Sequence, residues 1–349
     1  MIQTEVTTPT PVFRDLAPGE TADALFKTSG WARRPLFNYN AEQIAAPRAM
    51  ITESDCYIVF STTHLFLFEV VNSGWTRYIS ITALSIREKK AFTKIIYLHN
   101  RSGLYFLPSE SESSSIRIKH ALSQVHFIIM KENARIIKFD IPHFGGDNSL
   151  RGELVLTQEA GMPSIVTNLP FNREKGRFRY TRCCPCFFAE GAARYENKDI
   201  IFSQGRSWGI FLWRRMARPA RDVHYWASGS GKSGGKRVSF SIGCGSVNAS
   251  RATENAFFVN DNLYKLEYVT FIASPLSWHN TWRFTSSDGR LSMRFDPLES
   301  AGEYYASFLR SASVRRIFGF FSGSFQPPAG PAVEFFNITG VTERRKTRR

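Results

Sequence analysis

Apolar and polar residues alternate one by one along much of this chain, and helical spacing is scarce. The clearest run is Arg237 to Gly245. Val238, Phe240, Ile242 and Cys244 fall on one face of it, and Arg237, Ser239, Ser241 and Gly243 on the other. A period of two predicts a strand with one apolar face. The aromatic and small-residue stretch Val223 to Ser230 precedes it, and Lys232 to Lys236, around Gly234-Gly235, supplies a turn, so the two predict a hairpin. A second hairpin is equally legible. Trp282 and Phe284 share a face, Ser286-Ser287-Asp288-Gly289 offers turn chemistry, and Leu291, Met293 and Phe295 return on one face. Ile116 to Lys119 and Arg177 to Tyr180 alternate in the same way. Short strands over the whole length predict an all-β sandwich or barrel. Closure into a barrel removes exposed sheet edges, and the length suits two barrels of about eight strands each.

The 349 residues make about two domains by the usual range of 100 to 200 each. An aromatic content of 14% adds to the β lean, because aromatic side chains favour pleated, half-buried surfaces. The apolar segments are strand-sized, as at Leu65 to Phe68, and fall short of the roughly 18 residues a membrane helix needs. The amino terminus is Thr- and Pro-rich without a signal pattern. Five cysteines, an odd number without framework spacing, predict a reducing, cytoplasmic setting.

The net charge of +15 is concentrated. Five of the last six residues are basic, and Arg173 to Arg221 holds twelve basic against four acidic residues. A patch of Arg214, Arg215, Arg218 and Arg221 joined by the basic end would give weak, reversible contact with an anionic membrane surface. The same charges could instead form a plain solvated face with a loose tail. No zinc-finger spacing or RNA-binding signature accompanies them, so no specific nucleic acid is expected.

Six short motifs, taken in order, resemble an uncharacterised domain-of-unknown-function family (number twenty-eight-oh-four). They are Gly30-Trp31-Ala32-Arg33-Arg34-Pro35-Leu36, Phe139-Asp140-Ile141-Pro142 and Tyr225-Trp226-Ala227-Ser228-Gly229-Ser230-Gly231, followed by Ala252-Thr253-Glu254-Asn255, Trp282 to Arg290 and Phe318 to Gly323. The second half more remotely resembles the hydroxyneurosporene synthase and tocopherol cyclase group. The shared features are Gly205 to Trp208 with Trp213, the Trp226 hairpin and the strand Asn337 to Gly340. That resemblance implies two tandem lipocalin-like (calycin-type) antiparallel β-barrels. The layout is then a flexible leader over 1–27, barrels over 28–190 and 191–343, and a basic tail over 344–349. It also implies an apolar ligand cavity and, in some relatives, non-redox chemistry on greasy substrates. One departure matters. The family pattern has an acid immediately before the tryptophan matching Trp213, and here that residue is Leu212. The Asp-His pair of the hydratases is likewise replaced by Gly209-Ile210-Phe211. Protonating an alkene needs a positioned acid.

Several tempting motifs read as structure. Gly229-Ser230-Gly231-Lys232-Ser233 lacks the earlier glycine of a phosphate loop and runs into a strand, so it is a hairpin turn. Cys183-Cys184-Pro185-Cys186 has no second ligand pair, so no metal is expected. Ser228 lacks the nucleophile elbow. Glu254 and Asn255, between two β segments and followed by Ala256-Phe257-Phe258, are the most suggestive polar pair. A carboxyl against aromatic walls would have a raised pKa and could act as an acid; otherwise the pair ties down a turn or meets an arginine. Among the scattered histidines His224 borders the Tyr225 motif, as a proton shuttle or a surface side chain. Trp213, Trp226 and Trp282 could line a ligand cavity or form plain core.

These readings lead to a binding protein for an apolar or amphipathic small molecule, without metal, nucleotide or other cofactor. Whether it is an enzyme stays open. The alternative is a cofactor-independent hydratase, cyclase or isomerase acting on an isoprenoid- or polyketide-like substrate, with Glu254 as acid and His224, Asn255 and Trp226 as orienting groups. A scaffold recruited through its basic surface is a third.

Overall fold

The computed structural model describes residues 3–12, 28–44, 46–74, 76–98, 106–130, 134–172, 174, 176–274, 276–307 and 310–348. Among these the chain is almost wholly β, in two large antiparallel sheets of thirteen and nine strands. The sheets form one nearly closed barrel and one half-barrel. In the first sheet Ile51–Phe60 lies beside Trp208–Ala217, which lies beside the long strand Phe178–Tyr195. Ile165–Pro170 pairs with that long strand and carries Gly30–Ala32 on its other edge. The second sheet runs from Arg221–Ser233 onward, with the last strand, Val333–Arg348, beside it.

Strand alternation explains the greasy runs. In Ile51–Phe60, Tyr57 and Val59 point into the core of the first barrel, while Cys56, Ile58 and Phe60 point into a layer shared with the second sheet. Phe66 and Phe68 against Leu65 and Leu67 repeat the arrangement on the next strand. A strand covered on both faces needs no polar side, so it reads as continuous apolar sequence. The second sheet encloses its own core of phenylalanines, with Phe257 on Phe325 at 4.3 Å and Phe295 on Phe321 at 4.4 Å between centroids.

Both predicted hairpins form. Arg221–Ser233 and Lys236–Gly245 turn through Gly234 and Gly235 at φ +55° and +78°, which a β-carbon would oppose. Trp282–Ser286 turns to Leu291–Ser307 through Gly289 at φ +71°. Three boundaries differ from expectation. The chain passes between sheets after Ala217 and before Arg221, not near 190, because Phe178–Tyr195 runs straight through that point and pairs with Trp208–Ala217. The expected tail continues the last strand as far as Arg348, held by ladder pairing on both sides. Of the expected leader, residues 3–12 are docked: Thr10–Pro11 pairs with Phe37–Asn38 and Val12 is buried. Residues 1–2 and 13–27 lie outside the described residues, as does Arg349.

Candidate functional site

Four of the six motifs meet at the seam between the sheets. Trp31, Trp226, Ala252 and Phe318 belong to one buried cluster there. His224 and Trp226 project to this side of their strand, opposite Gly245 and Gly243 of the neighbour. A β-carbon on Gly243 would stand 2.5 Å from the Glu254 carboxyl carbon. Glycine at this position therefore lets the carboxyl lie flat on the strand and reach His224, with Nε2 and Oε1 2.7 Å apart. Both residues are buried.

The sequence suggested a raised pKa for Glu254, and the structure reverses this. Burial pushes the carboxyl up, but His224, Arg179 and Arg214 outweigh it and hold it below the ordinary value. Burial and then Arg179 lower the imidazole of His224, and Glu254 recovers only part of that shift. The pair is thus a neutral imidazole donating Nε2–H to a carboxylate, which leaves Nδ1 as an acceptor. Asn255 ties down backbone: its Oδ1 accepts from the Gly243 N–H at 2.7 Å, and its Nδ2 donates to the Glu267 carbonyl at 2.8 Å. Nearby, Lys265 donates from Nζ to Thr253 Oγ1 at 2.6 Å and to the Asn255 carbonyl at 2.9 Å, 5.7 Å from the Trp31 ring centre. Burial pushes this ammonium well below its ordinary pKa. Sequence reasoning missed Lys265, whose only signal is a lone charge in the run Leu263-Tyr264-Lys265-Leu266.

Next to His224 along its strand, Asp222 pairs through Oδ2 with Arg179 Nη2 at 2.6 Å, and Arg179 lies 5.2 Å from the Phe171 ring centre. Asp222 Oδ1 and Arg179 Nη1 are buried with no hydrogen-bond partner. Asp222 and Val223 line an open cavity of about 650 Å³. Phe171, Pro219 and Ala220 give it apolar wall, and Arg221, Lys346 and Arg348 give it cations.

The three tryptophans do not share a cavity. Trp213 lies inside the first barrel, between Arg215 at 4.0 Å and Tyr180 at 4.7 Å, and its Nε1 has no partner. Trp226 lies in the seam, donates to Ser241 Oγ at 3.0 Å and carries the Arg214 guanidinium 5.3 Å from its ring centre. Trp282 lies in the second core and donates to the Trp278 carbonyl at 3.2 Å. Strand alternation sends side chains to opposite faces, so their spacing in sequence carried no information on which layer each would join. The acid missing at Leu212 has a counterpart one strand over. Asp55 is the register partner of Trp213 and meets Arg215 Nη1 at 2.7 Å. Glu53 beside it accepts from Tyr39, Asn72 and the Leu107 N–H. Burial raises both carboxyls, and Arg215 offsets part of the rise.

The expected basic surface patch does not form. Arg215 is 0% exposed, Arg214 pairs with Glu343 at 2.7 Å in the seam, and Arg218 donates to the Ala49 carbonyl at 2.7 Å. Of the four, only Arg221 is exposed. Arg214 and Arg215 alternate between seam and barrel interior, and carboxylates from other strands wait on both faces. In the seam Glu69 and Glu343 are shared among Arg214, Arg316 and Arg345. The Cys183 to Cys186 stretch is strand, as expected, with all three thiols buried. Burial pushes Cys183 up to about 12.

A family model described as a domain of unknown function (DUF2804) matches residues 3–348. No curated protein matches the sequence. Among solved structures, CghA with Sch210972 is similar at a TM-score of 0.55 and 8% identity, over 86% of this chain and 89% of that one. CghA by itself gives 0.53 and 7%, over 86% and 92%. Kievitone hydratase from Nectria haematococca gives 0.48 and 10%, over 88% and 95%. These are lipocalin-like barrel proteins related to the tocopherol cyclase group, and at such identities the CghA match establishes the fold alone.

Proposed function

The chain belongs to the family described as a domain of unknown function, DUF2804, and from that premise we propose that it is a binding protein for an amphipathic small molecule. The observation that carries the reading is the seam cavity. Its volume of about 650 Å³ suits a ligand pocket, which usually spans about 300–1,000 Å³. Phe171, Pro219 and Ala220 offer apolar contact, and Asn172, Glu174 and Asp222 add polar groups to the lining. CghA, similar in fold, was crystallised with Sch210972, which supports a small-molecule role for the architecture. Five free cysteines fit a reducing, cytoplasmic setting.

Native mass spectrometry of the purified protein tests this. A co-purifying organic mass is expected, and Val223→Trp, which fills the cavity, should abolish it. A bare protein mass that no added amphiphile increases would overturn the reading. One observation favours an enzyme instead: His224, with Nδ1 free to accept a proton, lies on the same strand face as the cavity residue Asp222. In that reading the protein is a hydratase, cyclase or isomerase without a cofactor. His224→Gln would then stop turnover of the co-purified compound while leaving its binding intact.

A further inference from the structure

The seam cavity carries positive charge that nothing in the described protein neutralises. Arg221, Lys346 and Arg348 line it, all three are exposed, and no described carboxylate pairs with any of them. Arg221 stands directly opposite Arg348 in the ladder, and Val223 opposite Lys346. Like charges opposed on one face of a sheet repel and cost stability. The two acids of the cavity are already engaged. Glu174 accepts from the Ala220 N–H at 2.7 Å and faces Arg177 at 3.7 Å, and Asp222 is paired with Arg179. The cationic edge therefore stands beside an apolar wall of Phe171, Pro219 and Ala220, with surplus charge on one side only.

We propose that this edge receives the acidic group of the ligand. The ligand is an amphipathic organic acid whose carboxylate or phosphate lies on Arg221, Lys346 and Arg348 and whose apolar body follows Phe171, Pro219 and Ala220. This rests on the binding reading above and adds the ligand's charge. An anion placed between two opposed guanidiniums turns their repulsion into two attractions, and guanidinium forks match the oxygens of carboxylate and phosphate. The same ladder explains why the basic end of the chain is held in the sheet, with Arg348 and Lys346 at cavity positions.

The probe is dansyl-undecanoate, a fluorescent single-chain carboxylate, with its methyl ester as the uncharged control. On the full-length protein the acid should bind about tenfold or more tighter than the ester, the scale of one charge-assisted hydrogen bond. Arg348→Gln and Lys346→Gln, both exposed and expected to fold, should each remove most of that preference and leave ester binding unchanged. Added salt should weaken the acid and not the ester. Equal binding of acid and ester, unmoved by the two variants, overturns the charge assignment and leaves the binding protein standing. Binding of neither overturns both readings. Retention on phosphatidylserine vesicles without binding of the monomeric acid also overturns it, since the cations would then serve a membrane headgroup.

Discussion

His224 and Glu254 share one hydrogen bond, and its acid dependence follows from which partner holds the proton. Burial and Arg179 depress the imidazole below its ordinary 6.5, so the folded protein keeps it neutral where the unfolded chain takes up a proton. The stability this contributes is complete above 6.5 and is lost as pH falls towards the folded-state value. Glu254, also depressed, extends the loss to lower pH in the same direction. The urea midpoint should therefore drop between about pH 7 and pH 5, and His224→Gln should drop less across that interval. Equal slopes in the two proteins would refute the assignment. The pair was legible as candidates because each borders a distinctive motif, but not as partners: thirty positions separate them, and contact depends on Gly243 and Gly245 clearing the strand. Asp55 was invisible for a related reason. Its neighbour Trp213 lies far along the chain, and only strand register brings them together.

At the scale of elements, the strand Trp208–Ala217 shows how a basic sequence becomes interior. Successive arginines go to opposite faces, Arg214 to the seam and Arg215 into the first barrel. From composition they looked like surface, because the acids that receive them come from strands distant in sequence: Glu53 and Asp55 on one side, Glu69 and Glu343 on the other. Removing one partner from a buried ion cluster leaves uncompensated charge in a dry place and costs about 3–5 kcal/mol. Glu343→Gln, which removes one of the two described carboxylates shared by Arg214, Arg316 and Arg345, should lose that much in urea unfolding. Arg221→Gln, on the exposed edge, should stay within about 0.5 kcal/mol of the parent. Similar costs for the two would mean that the seam cluster is solvated. The hairpins, by contrast, were readable with their turns, since period and turn chemistry are local properties that no distant strand alters.

Across the whole molecule, the seam decides whether two sheets behave as one body. Domain interfaces within a chain are commonly polar and permit relative motion. This one is apolar at its centre, where Phe60, Ile58, Leu212 and Trp208 of the first sheet join Trp226, Phe258 and Phe318 of the second. The ion cluster crosses the same boundary, since Glu69 belongs to the first sheet and Glu343 and Arg316 to the second. The amino-terminal segment adds a third tie, as Thr4 donates to the Arg251 carbonyl and Thr253 to Gln3 Oε1. If either sheet unfolded alone, the other would expose this layer and leave its share of the buried charges unpaired. The molecule should therefore unfold in one cooperative step. Trp213 reports on the first barrel and Trp282 on the second. In Trp213→Phe and Trp282→Phe proteins, fluorescence and β-sheet circular dichroism should give coincident urea transitions. In Glu343→Gln the transitions should move to lower urea together. Transitions that separate, with one sheet outlasting the other, would show that the seam is a contact between two independent domains and not a shared core.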